Sequence, residues 1–367
     1  MQKQTWPTLE IIVANDSSTD NTTQIVEKFM QRDPRIKLLS TPANSGPYVA
    51  RNMALDMASG QFVTCNDSDD WSHPQKIERQ VQHLMDNPGV IANASELARA
   101  YNDISFYRRG LPGKYIQVNM SSLMFRKKPV MEKLGYWDSV RFGADSEFIK
   151  RLRLSFGDKS VVFMKNSLYS FLRQTDGSLT GNKAFGYHGF LMGARLEYAH
   201  SQDHFHQNSP SLFYDFPIKN RLFAVPYPML PGRLKSSDPR QLDVVIAADL
   251  TSNKKSHLET IKNNVKSHME KGATVGLVQI YSYKTKSLMI HKQLRELVDG
   301  DGVQVVVFGE SIKTKQLYIY DAELLQVQQK YLPTITSQQA YVKTPYTISS
   351  EKLASYFTAE KWMDINN

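Results

Sequence analysis

The chain has 367 residues, enough for two ordinary domains that each bury a core, and its 41% hydrophobic content is that of a globular protein. It holds no run of about 18 apolar residues and no charged-then-apolar opening, so neither a membrane-spanning helix nor a signal peptide is expected, and the single cysteine, Cys65, excludes an internal disulfide or a cysteine-based metal cluster. Forty-five Lys and Arg against 36 Asp and Glu give a formal charge of +9, which favours anionic partners such as nucleotides, phosphorylated acceptors or an acidic membrane face, although a plain basic surface explains it equally; the basic residues are dispersed and form no aromatic-laced stripe, so no nucleic-acid partner is expected.

In chain order, "LEIIVAND" (9–16) reads as a buried strand. "STDNTTQIVEKFMQ" follows as a helix with Ile25, Val26, Phe29 and Met30 on one face and Asp20 or Asn21 as its cap. A strand "IKLLS" (36–40) leads to a helix in which Val49, Ala50, Met53, Ala54 and Met57 keep helical spacing and Gly60 marks the end. "QFVTCND" is a third strand. The next helix, from "SHPQKIERQVQHLMDNPG", has Pro74 at its first turn and Ile77, Val81, Leu84 and Met85 inward. "VNMSSLMFRK" reads as a strand, and "DSEFIKRLRLSF" as a helix with Phe148, Ile149 and Leu152 inward.

Six prolines between 210 and 239 break helix and strand and mark a linker. The alternation then restarts: "LDVVIAAD" (242–249), a helix with Leu258, Ile261, Val265 and Met269 on one face, then "TVGLVQIYSY", "LMIHKQLRELVDGDG", "VQVVVFGE" and "QLYIYD". Strands alternating with helices imply a mostly parallel sheet. The expected organisation is an α/β domain over 1–208, a Pro-rich linker over 209–240 and a smaller Rossmann-like α/β domain over 241–367.

Ligands of such sheets bind outside the carboxyl ends of the strands, and that rule sorts the acids. Asp16 ends the first strand, and Asp67, Asp69 and Asp70 end the third. A D-x-D pair offers two hard oxygen donors to Mg²⁺ or Mn²⁺, with phosphate oxygens completing the shell. A calcium loop counted from Asp67 fails, because Trp71 and Ser72 stand where an oxygen donor and glycine are needed. A phosphoaspartyl site fails on Trp71 as well. An acid before a helix is also a common cap, which remains the reading for Asp70.

Four blocks decide the matter: "IIVANDSSTDNT", "NSGPYVARNMALDMASGQFV", "NDSDDWSHPQKIERQ" and "GYWDSVRFGADSEFIKRL". In this order and spacing they resemble the family 2 glycosyltransferases, whose text runs V-x-D-G-S-T-D-x-T, N-x-G-x-x-x-A-R-N, D-x-D-D with P-x-K, and an acid-rich helix start. The resemblance implies a GT-A-type sheet flanked by helices, and a metal-dependent, inverting transfer of a sugar. It further implies a nucleoside-diphosphate sugar, a UDP-sugar first, as donor and a hydroxyl of a capsule, wall or other surface polymer as acceptor. It also implies a cytoplasmic protein, in peripheral contact with the inner face of the membrane.

Carried over residue by residue, Asp16 accepts the uracil imide proton, and Ser17 and Ser18 shape the base pocket. Asn44, Gly46 and Arg51 line the nucleotide and approach its diphosphate; Asp67 holds ribose or metal and Asp69 the metal. Asp145 is the base that deprotonates the acceptor. The acid that precedes it in relatives is Ala144 here, and Glu147 is the second candidate for the base. Arg173, in "LRQTDGSLTG" (172–181), is a candidate partner of the leaving group. His200, His204 and His206 lack a paired acid and are not read as a metal site.

Relatives open with a strand V-S-V-I-V-P-x-Y-N and a helix ending Q-T-Y, whereas this chain begins "MQKQTWPTLEIIVAND". The first strand and most of the first helix are therefore expected to be missing, the chain as given to have weak or no transferase activity, and upstream residues to restore it. The alternative is a catalytically inactive module that binds sugar nucleotide or glycan. The segment after 241 resembles the first half of a GT-B glycosyltransferase ("DVVIAAD", "GATVGLVQIYSY", "GVQVVVFGES"). It has no G-x-G-x-x-G after any strand and is read as an accessory domain without chemistry of its own.

Overall fold

A computed structural model describes residues 1–108, 112–175, 184–186, 192–232, 239–284, 288–343 and 348–365. The chain forms two units, Met1–Gly181 with Asn208–Asn220, and Asn182–Gln207 with Arg221–Asn367.

The first unit begins with β1 (Ile11–Asn15), α1 (Thr22–Met30), β2 (Ile36–Ser40), α2 (Pro47–Met57) and β3 (Phe62–Thr64). It continues with β4 (Trp71–Ser72), α3 (Lys76–Asp86), β5 (Ala92–Ala100), β6 (Phe106–Tyr107), β7 (Ile116–Val118) and β8 (Met124–Arg126). It closes with α4 (Lys127–Lys133), α5 (Ala144–Phe156) and β9 (Val161–Arg173). β1 and β2 form a parallel pair, and a larger sheet runs β3-β8-β5-β9-β4 with β6 and β7 on β5. The α/β class expected from the alternation is present. In the larger sheet β5 and β9 are parallel, whereas the short strands join antiparallel; of these pairs β5–β6 is a short hairpin, while β3–β8 and β4–β9 join segments far apart in sequence. Among the described residues β1 pairs with β2 alone and β3 with β8 alone.

Packing follows the apolar spacing in α3 and α5 but not throughout. Ile77, Val81 and Leu84 of α3 join Met124, Trp6, Leu9 and Phe62 in one cluster, while Met85 faces solvent. Phe148 of α5 meets Trp137 and Phe125 at ring distances of 4.9 and 5.4 Å. In α1 the expected inward residues Ile25 and Phe29 are exposed, because the two-stranded β1–β2 pair is too narrow to cover that face. In α2 the buried residues are Tyr48, Ala50, Asn52 and Leu55 rather than the Val49–Met53–Met57 stripe. The side chain of Asn52 explains the rotation. Its Nδ2 donates to Trp137 O at 2.8 Å and its Oδ1 accepts from Trp137 N at 3.1 Å, so a polar residue is satisfied inside. The strand expected over "VNMSSLMFRK" is interrupted by a tight turn at Met120–Ser122, which the Asn119 side chain caps.

The second unit contains α6 (Ala194–Asn208), β10 (Arg240–Ala248), α7 (Lys255–Met269), β11 (Val275–Gln279), α8 (Lys292–Arg295) and β12 (Val303–Val305). After these come β13 (Ser311–Ile319), β14 (Thr334–Val342), α9 (Ser350–Ala354) and β15 (Thr358–Asp364). Its six strands are all parallel in the order β12-β11-β10-β13-β14-β15, with one apolar cluster on each face. β14 and β15 extend the sheet beyond the four strands read from sequence.

The proline-rich stretch is two anchored pieces rather than a free linker. Tyr214 pairs with Gly135 in the first unit and lies under the Arg151 guanidinium at 3.6 Å. Ala224 O accepts from Ser201 Oγ, and Phe223 stacks on Phe205, in the second. Helix α6, placed by composition in the first domain, packs in the second unit, where buried Glu197 forms a two-bond ion pair with buried Arg295.

Candidate active site

Asp16 follows β1 and fastens the loop that enters α2. Its Oδ1 accepts from Ser45 N and Thr41 Oγ1, both at 2.9 Å, and its Oδ2 from Gly46 N at 2.7 Å. Asn44 Nδ2 donates to Asp16 O, and its Oδ1 accepts from Arg141 Nη1 at 3.3 Å. Gly46 has φ +94°, and a Cβ there would stand 3.2 Å from Arg141 Cα, so the position needs glycine on both counts. Ser17, also at positive φ, donates from Oγ to Thr41 O, and the Ser18 amide donates to Asn15 Oδ1.

Arg51, one turn into α2, gathers the rest. Its Nη2 donates to Asp67 Oδ1 at 2.6 Å and its Nη1 to Asp145 Oδ1 at 3.0 Å, while its guanidinium lies over the Tyr48 ring at 4.9 Å. Asp145 stands in the first turn of α5, which starts after the left-handed Gly143, and its N–H donates to Tyr48 Oη at 3.2 Å. A carboxylate in that position is favoured by the free amides and the dipole of the helix. Burial, and next the charge of Asp145, hold the Tyr48 hydroxyl far above its ordinary value, so it stays protonated.

The acid loop follows β3. Asp67 Oδ2 accepts from Ser121 Oγ at 3.2 Å, Asp69 is exposed, and Asp70 accepts from Arg173 N at 3.2 Å. Burial, and then the charges of Asp67 and Asp69, push the Asp70 carboxyl up to about 7. Beneath them lies Lys76, 1% exposed, whose Nζ reaches Ser72 Oγ at 3.2 Å and Asn66 Oδ1 at 3.4 Å. Burial lowers its ammonium to about 8.

Among the described residues no group of three or more His, Cys, Asp and Glu is arranged to hold an ion by itself. Two carboxylates, Asp67 and Asp69, suit a Mg²⁺ or Mn²⁺ ion that takes its other ligands from water and phosphate. That pair of hard oxygen donors on one loop is of the chemistry such an ion takes, so the donor set fits the group.

The structure thus brings Arg51, Asp67 and Asp145 together and sets Asp16, Asn44 and Gly46 along the entrance of the same helix. It takes Glu147 elsewhere. That carboxylate is fully buried and bonded to Arg151 Nε at 2.6 Å and Nη2 at 3.0 Å, where an acceptor hydroxyl has no access, so the second candidate for the base is corrected to a core ion pair. Arg173 is exposed and donates from Nε to Asn102 Oδ1; the loop it was read with lies outside the described residues from 176 onward. Tyr48, Ser121 and Lys76 were missed by the sequence reading. Lys76 had a signal, the P-x-K spacing after the acids, whereas Tyr48 and Ser121 are placed only by the fold.

Residues 1–134 match the family model described as glycosyl transferase family 2. Among curated relatives, "Glycosyltransferase GlyG" of Streptococcus pneumoniae serotype 4 is 25% identical over 195 residues, 47% of this chain and 64% of that protein. "Putative teichuronic acid biosynthesis glycosyltransferase TuaG" of Bacillus subtilis is 40% identical over 83 residues, 23% of this chain and 33% of that protein. In both cases the chain spans less than two thirds of the relative's length. A solved structure of S. aureus TarS 1-349 in complex with UDP-GlcNAc is 21% identical, with a TM-score of 0.37, over 48% of this chain and 53% of that one. No helix among the described residues is long and apolar enough to cross a membrane.

Proposed function

We propose that the first unit transfers a glycosyl group from a nucleoside-diphosphate sugar, UDP being the expected nucleotide, to a hydroxyl of a growing surface polymer, with inversion at the anomeric carbon. The observation that carries this reading is the Arg51 bridge, which joins Asp67 and Asp145 within the reach of one side chain although they lie far apart in sequence. Asp145 takes the acceptor proton as the hydroxyl oxygen attacks, and the nucleoside diphosphate leaves from the opposite face of the sugar. Asp67 and Asp69 would hold Mg²⁺ or Mn²⁺, which supplies positive charge to the departing diphosphate. Arg51 lies where it can turn from its two acids toward a phosphate, a match for its planar donor fork. Asp16 uses three acceptor positions on the chain, and a carboxylate has about four, which leaves one for a base N–H.

The polymer acceptor is supported by the family and by the teichuronic acid relative, and a cytoplasmic location at the membrane's inner face is the setting that reading implies. The test is release of the nucleotide from a panel of UDP- and GDP-sugars, each with Mn²⁺ and with chelator. The expected outcome is metal-dependent release from one donor class and a loss of metal response in Asp69→Asn. Absence of nucleotide binding with or without metal contradicts the proposal.

A further inference from the structure

Beside the acid loop, three of four neighbouring strands present a row of rings. Trp71 of β4 and Phe106 of β6 are each 51% exposed, and Phe171 of β9 stands between them, 5.6 Å from Trp71 and 6.1 Å from Phe106 by ring centroids. Strand register explains how rings from non-adjacent strands meet. Trp71 is opposite Phe171, Phe171 is opposite Ala98, and Phe106 is opposite Ala100, so all five side chains point to one face. The two alanines of β5 are too small to separate the rings. Two large half-exposed aromatics in contact with a third form an apolar surface that folding alone does not explain.

The row is continuous with the acid loop. Trp71 follows Asp69 and Asp70 directly, and Arg173, two residues after Phe171, donates its N–H to Asp70 and its Nε to Asn102. The rings are therefore rimmed at one end by carboxylate, guanidinium and amide. We propose that this row binds the acceptor glycan: its rings stack on the apolar C–H faces of consecutive sugar residues, and Arg173, Asn102 and Asp70 take the hydroxyls at the rim. A pyranose has that combination of a flat apolar face and a polar edge. Four strands about 4.8 Å apart make a platform of roughly 14 Å, which holds a few sugar residues and not one. A grip on the penultimate residues would hold the end of a growing polymer at the acid loop. The inference rests on the transferase reading for its biological sense, but its binding test is independent of the donor.

The full chain, without nucleotide, is applied to an array of bacterial-type oligosaccharides of graded length. The retained oligosaccharides are then titrated into Phe106→Ala and Trp71→Ala, and UDP with Mn²⁺ into Phe106→Ala. Expected is retention that rises with oligosaccharide length, a loss of about tenfold in affinity in each variant, and unchanged UDP affinity and melting temperature in Phe106→Ala. Glycan binding that both variants keep, or no glycan retained by the unaltered chain, overturns the proposal. So does a Phe106→Ala variant that loses only self-association in sedimentation or only adhesion to anionic vesicles. If glycans bind through these rings while UDP does not bind at all, the donor reading fails and this one stands.

Discussion

Arg51 stands between Asp67 and Asp145 with its side chain 15% exposed, so both acids are compensated by one cation while no donor is bound. Removing that cation leaves two carboxylates facing each other. Arg51→Met is expected to weaken UDP binding at least tenfold by calorimetric titration, whereas Arg51→Lys, a point charge without the fork, restores only part of it. Asp70 gives a pH signature. Its carboxyl is raised from 3.8 to about 7, so the folded chain holds this proton more tightly than the unfolded chain. Stability is therefore greater below the ordinary carboxylate value and is lost as pH rises through about 7. In the absence of divalent metal, Asp70→Asn is expected to melt roughly 2–4 °C higher than the unaltered chain near pH 8 and at the same temperature near pH 4. At this scale the sequence, through motif spacing, singled out Asp16, Arg51, Asp67 and Asp145, the last three of which meet at the Arg51 guanidinium. It was silent on burial, which is why Glu147 read as a candidate base while it sits with Arg151 in the core.

The helix α2 is held to the segment before α5 by Asn52 and by the close approach of Gly46 to Arg141. These contacts set the distance across which Arg51 reaches Asp145. Asn52→Ala leaves the Trp137 backbone groups unpaired and is expected to cost about 1–3 kcal/mol by denaturant titration. Gly46→Ala forces a positive φ and a tight contact and is expected to cost a similar amount, with weaker UDP binding as well. Helices α3 and α5 were legible because three apolar positions in each keep helical spacing and are buried. The rotation of α2 was not, since a buried asparagine breaks the apolar pattern. Strands of two or three residues, β4, β6 and β7, fall below the length at which alternation can be read. Two of the three rings of the aromatic row, Trp71 and Phe106, lie on such strands, β4 and β6.

Two units divide the chain, and the residues proposed to hold the donor all lie in the first. The second unit's parallel sheet was readable in its first four strands; β14 and β15 were missed because polar and apolar residues mix along "TITSQQAYV" and "TAEKWMD". Proline content set the expected boundary, and it carries no sign of the Glu197–Arg295 pair that fastens helix α6 within the second unit. Glu197→Ala strands a buried guanidinium and is expected to lower the stability of the second unit by about 3–5 kcal/mol while leaving UDP affinity unchanged. The central claim is that Asp145 is the base of a glycosyl transfer whose donor is held by Asp16, Arg51 and Asp67. The most direct measurement compares the unaltered chain with Asp145→Asn for UDP affinity in the presence of Mn²⁺ and for transfer of a labelled sugar to acceptor. The account predicts UDP affinity within about twofold and transfer lowered by at least about a hundredfold. Equal transfer by the two chains, or loss of UDP binding together with transfer, contradicts it.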